Sequence, residues 1–498
     1  MTALPFFVAN RPVQGTGPTF VSTNPATGAA NYEVSAASAA DVDAAVTAAR
    51  DAVRSARWRN LRPHERARII ARIADGMEAH AQELADIQMR ENGKVMAECR
   101  TQVSSAIATY RYFAAVCETL GSDVTPSRGD YVSMTVHEPV GVVAAITPWN
   151  SPLTMEAQKV APALAAGNAI IVKPSEVTPT AAILVARIAA EAGLPAGILN
   201  VVTGLGTDTG VALVRHPGVR MVSFTGGTET GRAIGRICAD RLIPAALELG
   251  GKSPNIVFED ADLDAAVTGV IGGIFEGSGQ SCVAGSRLFV QRSVYAEFVA
   301  RLKTATEALG VGLPTQAGVK MGPLASFPHR DRVERMVEDA RKEGGDIIAG
   351  GTRPGAPELA DGAFYMPTLI AGLTNASGAA RQEIFGPVLV LLSFDDEADV
   401  VAQANDTVYG LACGIWTADY RRAWRVARAI EAGTVWINTY KQLSIATPFG
   451  GFKESGIGRE KGISGVRLYQ QSKGIYWDMG PLVPPFMDTE DAMKGGSK

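Results

Sequence analysis

A chain of 498 residues has room for two or three domains and for more than one buried core. Its formal net charge of −4 and pI near 5.9 argue against a nucleic-acid footprint and point to small-molecule partners. Five cysteines, at 99, 117, 238, 282 and 413, show no paired short spacing, which speaks against a zinc site or a disulfide framework and fits a reducing, cytoplasmic setting.

The first ten residues lack a basic run, and their apolar stretch is too short for a signal peptide. Asp41 to Val53 carries Val42, Ala45, Val46, Ala49 and Val53 at helical spacing, and Arg62 to Asn92 continues as helices. Asp130 to His137 alternates strictly, with Val132, Met134 and Val136 on one face and Tyr131, Ser133, Thr135 and His137 on the other. Gly474 to Met479 reads as another strand near the C-terminus. The alternating strand fits neither of the two α/β runs; it pairs with a partner subunit or lies in a surface hairpin, and pattern alone does not choose.

From Glu138 the chain repeats strand, turn, helix. Val140–Ile146 is strand length, far below a membrane span. A turn, Thr147-Pro-Trp-Asn-Ser-Pro152, leads to the helix Met155–Ala166. The strand Ala169–Val172, the turn Lys173–Glu176 and the helix Pro179–Ala192 follow. Ile198–Val202 and Val219–Phe224 keep the rhythm, with a further helix from Thr228 to Ala239. Strands alternating with helices predict βαβ units and a parallel sheet. The pattern resumes after Cys282, with a helix over Asp331–Glu343 and a long loop after Trp436, which predicts a second α/β domain.

Among the cysteines, Cys282 stands apart because its neighbours are small: Gly277, Ser278, Gly279, Ser281, Ala284 and Gly285. Such a backbone lets a substrate carbon approach the sulfur and leaves the N–H of Cys282 free to face an oxyanion. A lone cysteine is more often a small buried hydrophobe. Glu248, followed by Gly250 and Gly251, supplies a carboxylate base; no histidine lies near Cys282 in sequence, so a Cys–His hydrolase has no local support. The chemistry suggested is thioester formation with a carboxylate base.

Gly204-Leu-Gly206-Thr-Asp-Thr-Gly210 has one residue too many for a dinucleotide fingerprint. Phe224-Thr-Gly226-Gly227-Thr-Glu-Thr-Gly231 follows a strand and opens a helix, where bare N–H groups favour a pyrophosphate, although an ordinary strand-to-helix turn looks the same. Lys173-Pro-Ser175-Glu176 offers a cation and a carboxylate suited to ribose hydroxyls; the alternative is a surface ion pair. A carboxylate there would repel a 2′-phosphate and leans towards NAD over NADP.

Together these motifs resemble the NAD(P)-dependent, hydrolytic aldehyde dehydrogenase superfamily from about Val21 to Tyr476. The resemblance rests on Thr147-Pro-Trp-Asn150, Lys173-Pro-Ser-Glu176, Phe224-Thr-Gly226, Glu248-Leu-Gly-Gly, Gly279-Gln-Ser-Cys282, Glu383-Ile-Phe-Gly-Pro387 and Pro448-Phe-Gly-Gly451, all in family order. It implies an α/β fold with a doubly wound cofactor domain (1–121 and 141–249) and an α/β catalytic domain (250–450). A small β oligomerisation flap with a C-terminal tail (122–140 and 451–498) would complete it. It implies Cys282 as nucleophile, Asn150 with the Cys282 N–H as oxyanion hole, and Glu248 as general base. Cofactor contacts fall on Ile146, Pro148, Trp149, Lys173, Ser175, Glu176, Gly206, Phe224, Thr225, Gly226, Gly227, Gly231, Leu249, Gly250, Glu383 and Phe385. The substrate pocket falls on Ser151, Met155, Gln158, Glu276, Leu443 and Phe449.

The implied reaction is oxidation of an aldehyde to the carboxylic acid with NAD, NADP being possible, in a homodimer or homotetramer without nucleic-acid or membrane partners. Three positions depart from the family pattern: Gly227 stands where Ser is common, His329 where Gln often meets the cofactor, and Glu276 where an aromatic is frequent. With Ser151, Gln158, Met155, Leu443 and Phe449 around the pocket, Glu276 leaves its mouth less aromatic than in enzymes of simple aliphatic aldehydes, which predicts a polar or functionalised aldehyde. Two other readings are a CoA-acylating relative, which has no need of Glu248, and a non-catalytic protein on the same scaffold.

Overall fold

The strand–turn–helix rhythm closes into an eight-stranded sheet, in a computed structural model that describes residues 3–480. Its five central strands are parallel and run, in spatial order, Leu199–Val201, Ala169–Lys173, Val142–Ile146, Met221–Thr225 and Ala245–Glu248. Residues on these strands are buried almost throughout, as expected where helices cover both faces. From Val142–Ile146 the chain first winds outward to Leu199–Val201, then returns to the other side with Met221–Thr225. The order therefore reverses between those two neighbours, and the carboxyl ends Ile146 and Phe224 lie in register at the reversal. Crevices at such switch points receive ligands in open α/β sheets.

Both edges of this sheet are antiparallel additions. On one side a hairpin, Phe6–Val8 with Arg11–Val13, turns at Ala9 and Asn10, both in the left-handed region. On the other, Gly456–Ile457 pairs with Leu247 and Glu248. That strand lies in the segment from 451 onward, expected to form the flap and tail; it joins the cofactor sheet first and only then reaches the flap. The N-terminal hairpin was not legible in the pattern because its strands are three residues each.

The second sheet has seven strands, six of them parallel, spanning Pro254–Val257 to Thr434–Ile437 in sequence, with apolar clusters on its two faces. The expected alternating strand appears as Tyr131–Pro139, and it pairs along its whole length with Gln470–Asp478. The second strand begins four residues earlier than predicted, at Gln470 rather than Gly474, because Gln470-Gln-Ser-Lys473 is polar and carries no alternation. The tail after Gly480 lies outside the described residues. A 24-residue helix, Met96–Thr119, had no clear signature in the sequence, since it packs against both Pro63–Ala79 and Pro152–Ala165 and so lacks a single apolar stripe. Among the described residues no helix is long and apolar enough to cross a membrane.

Candidate active site

Cys282 sits on a loop that the local sequence forces into shape. The helix Leu263–Phe275 ends, and Gly277, Ser278 and Gly279 follow in succession with φ of +67°, +57° and +71°. Glycine is required at 279: a Cβ there would fall 2.1 Å from the Gly386 carbonyl oxygen. Ser278 bears the strained conformation as a non-glycine, and its hydroxyl donates to the Gly322 carbonyl at 2.9 Å. The Gly277 N–H donates to Glu98 at 2.7 Å, and Gln280 accepts from the Ala325 N–H at 2.8 Å. Cys282 is half-buried, whereas Cys99, Cys117, Cys238 and Cys413 are buried. Burial, reinforced by the carboxylates of Glu383 and Glu248, pushes its thiol up to about 12.

Asn150 and Glu248 reach this loop from the first sheet. Asn150 follows the strand Val142–Ile146, and its Nδ2 donates to the Gln280 carbonyl at 2.9 Å. That bond fixes the amide plane and uses one of two amide hydrogens. Glu248 ends the strand Ala245–Glu248 and is 4% exposed. Its Oε2 has no hydrogen-bond partner, and burial, then the nearby Glu460 carboxylate, raises it well above the ordinary carboxylate range. Glu460 is itself paired with Lys159 at full burial, and Lys159 Nζ also donates to Ser223 Oγ at 3.1 Å. This polar wall behind Glu248 was not among the expected site residues. Its signals were a lysine inside the apolar helix after Asn150 and three charges set between Gly458 and Gly462.

A cavity of about 820 Å³ joins Cys282 and Asn150 to the switch point of the first sheet. Of the expected cofactor residues it is lined by Pro148, Trp149, Thr225, Gly226, Gly227, Leu249, Gly250, Glu383 and Phe385. Gly226 donates its N–H to the Glu248 carbonyl at 3.0 Å, tying the turn to the end of that strand. A Cβ on Gly227 would meet nothing within 4 Å, and the buried Thr225 hydroxyl has no partner. An open turn, an orphaned hydroxyl and the start of the 13-residue helix Thr228–Asp240 fit a dinucleotide pyrophosphate.

The opposite wall is the loop Glu383–Phe385. Glu383 accepts from the Gly251 N–H at 3.0 Å, and Arg332 donates to its carbonyl at 3.0 Å. His329, pushed down to about 4 by burial, is neutral and donates from Nε2 to the Phe385 carbonyl at 2.7 Å. Trp149 packs edge-on against Phe385 and His329, with centroids 5.3 and 5.1 Å away. The lining also includes Thr228, Arg232, Arg381, Tyr409 and Glu454, which sequence reasoning did not single out.

Ile146, Lys173, Ser175, Glu176, Gly206, Phe224 and Gly231 do not line this cavity. Ile146, Lys173 and Phe224 lie at carboxyl ends of the same strands, and Lys173 Nζ pairs with Glu176 at 3.5 Å. Gly206 opens a five-residue helical turn whose far end, Gly210, approaches the Lys173 side chain. Gly231 lies in the helix Thr228–Asp240 against Leu249, which a Cβ would strike at 2.4 Å.

Of the expected substrate residues, Met155 lines the cavity, Gln158 and Phe449 are buried, and Ser151 accepts from Gln102 Nε2 at 3.2 Å. Leu443 is 47% exposed. Glu276 lines a separate outer hollow of about 550 Å³ and pairs there with Lys441 at 3.7 Å, away from the cavity that holds Cys282.

The model of the Aldehyde dehydrogenase family matches residues 13–475. The phenylacetaldehyde dehydrogenase of Pseudomonas fluorescens is 45% identical over 460 residues, 91% of each chain. The 2-hydroxymuconic semialdehyde dehydrogenase of Pseudomonas sp. (strain CF600) is 41% identical over 92% of this chain and 96% of its own. The NAD+ complex of an aldehyde dehydrogenase from Bacillus cereus superposes with a TM-score of 0.94 at 40% identity, covering 96% of this chain and 97% of that one.

Proposed function

The chain belongs to the aldehyde dehydrogenase family, and we infer that it oxidises an aldehyde to its carboxylic acid with NAD, Cys282 carrying the acyl group. The observation that carries this reading is the meeting of three groups: a half-buried cysteine, an amide locked by the Gln280 carbonyl, and a buried carboxylate with a free oxygen. Cys282 Sγ attacks the aldehyde carbon as its proton passes to Glu248, which releases it to solvent before the second step. The second Asn150 amide hydrogen and the Cys282 N–H hold the oxyanion. Bound along the cavity, NAD supplies the acceptor for the hydride that leaves that carbon. The resulting thioester on Cys282 is opened by water whose proton passes to Glu248 Oε2.

Glu383, Gly226, Gly227 and Thr225 would hold the cofactor. The Glu176 carboxylate beside Lys173 would meet a 2′-phosphate with like charge, which favours NAD over NADP. The relatives' named substrates differ in chemistry, so the pocket residues must carry the choice of aldehyde. Glu276 faces outward, so the polar or functionalised aldehyde rests on Ser151 and Gln158, which the family resemblance assigns to the pocket. Exposed Tyr476 and Trp477 on the strand Gln470–Asp478 suit a homodimer or homotetramer built through the flap. The free cysteines suit the cytoplasm.

Nicotinamide reduction, followed by absorbance with a panel of aldehydes, tests the reaction. We expect turnover without CoA that disappears in Cys282→Ala. Product formed only when CoA is added would move the chain to the acylating branch, which draws no support from the relatives. Highest efficiency on unbranched alkanals would overturn the polar-substrate reading.

A further inference from the structure

One buried cation beside the base has no counter-ion. Lys461 is 6% exposed, and its Nζ stands 5.0 Å from the centroid of the Phe449 ring. Among the described residues no carboxylate oxygen lies within 4.0 Å of that amine; the adjacent Glu460 is taken by Lys159. Lys94, 7% exposed, likewise has no carboxylate oxygen within 4.0 Å, but its Nζ lies beside Gly277 and near Glu98 rather than beside Phe449. The other enclosed lysines are paired or sealed. Lys159 pairs with Glu460, Lys173 with Glu176, and Lys441 with Glu276 and two carbonyls. Lys252 is unpaired but wholly sealed.

The backbone fixes Lys461 close to Glu248 and Cys282. Phe449 and Glu460 exchange both backbone hydrogen bonds at 2.8 Å, so the ring and the lysine beside Glu460 move as one unit. The residue after Phe449, Gly450, abuts the base: a Cβ there would fall 2.8 Å from Glu248 Oε1. Lys461 adopts φ of +60°, an uncommon conformation for a side-chain-bearing residue that this packing maintains. Burial lowers its affinity for a proton, while Glu460, Cys282 and Glu248 are close enough to raise it. An aromatic face compensates a buried ammonium only weakly compared with an anion.

We propose that Lys461 binds the far end of the substrate and that the preferred aldehyde carries a carboxylate, its methylenes lying on Phe449. This rests on the aldehyde-oxidising reading and narrows its polar-substrate class to anions. A carboxylate would form a charge-assisted hydrogen bond with Nζ and supply the missing counter-ion.

The holoenzyme is assayed with NAD on ω-oxo carboxylates of increasing length, their methyl esters and the matching alkanals. We expect wild type to favour the carboxylate at one chain length. Lys461→Met should lower kcat/KM for that substrate by ~10- to 100-fold, through KM, and leave the ester unchanged. Lys461→Arg should keep the preference, and ester turnover reports that each variant is folded. Equal use of acid and ester by wild type, or an equal loss on both in Lys461→Met, would overturn the assignment while leaving aldehyde oxidation intact. No turnover of any aldehyde by wild type would instead overturn the parent reading and this one with it.

Discussion

The two walls of the central cavity are built on opposite terms. On the cofactor wall the groups that set its shape are tied down within the protein, since Gly251 bonds Glu383, His329 bonds the Phe385 carbonyl and Gly226 bonds the Glu248 carbonyl, and the Thr225 and Thr228 hydroxyls are left unpaired at the cavity. On the wall that holds Glu248, one buried oxygen each of Glu248 and Glu460 has no partner within the protein. A buried oxygen that stays unpaired costs ~1–3 kcal/mol, a cost that an apolar wall of the same shape would avoid. The difference separates two tasks. Recognition needs a surface that does not rearrange, whereas acid–base chemistry needs a carboxylate held away from water, so that its proton affinity approaches that of the groups it serves.

If the tasks are separable, the sharpest cut is Cys282→Ala. Turnover should fall by on the order of 10⁴-fold or more, with NAD affinity, measured by fluorescence titration, unchanged. A parallel loss of NAD binding would mean that the walls act as one unit.

Lys159→Met addresses stability on the catalytic wall. It leaves the Glu460 carboxylate buried without its cation, and should destabilise the fold by ~3–5 kcal/mol, read as a lower denaturation midpoint. Replacing both members, Lys159→Met with Glu460→Met, should recover much of that loss. A single variant as stable as wild type would show that the pair is already hydrated.

Glu248→Gln removes the proposed base and keeps its shape. A slowed first burst of reduced cofactor should survive while steady turnover falls by ~10²- to 10³-fold, as unhydrolysed thioester accumulates; stopped-flow absorbance separates the phases. The pH sign follows from the raised carboxyl. Glu248 is a base only when deprotonated, so thioester hydrolysis in wild type should climb with pH up to that elevated value and level above it. In Glu248→Gln the climb should be absent. If it persists, another group takes the proton, Glu460 being a neighbouring carboxylate.

This contrast also explains what was legible in the amino-acid sequence. Gly226-Gly227, Thr147–Asn150 and Glu383–Phe385 are contiguous segments whose geometry is local, and eleven of the expected catalytic and cofactor residues, among them Trp149, Asn150 and Cys282, line one cavity. The pairing of Lys159 with Glu460 joins residues 301 positions apart, and no local pattern encodes such a contact. Glu276 illustrates the converse. Its place six residues before Cys282 suggested the inner pocket, but the left-handed run at Gly277–Gly279 turns the chain between them, and Glu276 faces Lys441 outside.

The finest test lies within the cofactor wall, between two glycines of the same cavity. At Gly250 a Cβ would fall 2.5 Å from Glu383 Oε2, so Gly250→Ala must displace the carboxylate and strain its bond from the Gly251 N–H. Loss of one such bond predicts ~10-fold weaker NAD binding with the fold intact, because the displaced atom is the end of a flexible side chain. Gly227 has ordinary φ of −67° at the start of the helix Thr228–Asp240 and open space around it. Gly227→Ser therefore fits without movement, adds only a few tenths of a kcal/mol as a helix cap, and should change NAD affinity by less than about threefold. Equal losses in the two variants would mean that the turn tolerates no side chain for reasons other than space, and that the cofactor wall is less rigid than its hydrogen bonds imply.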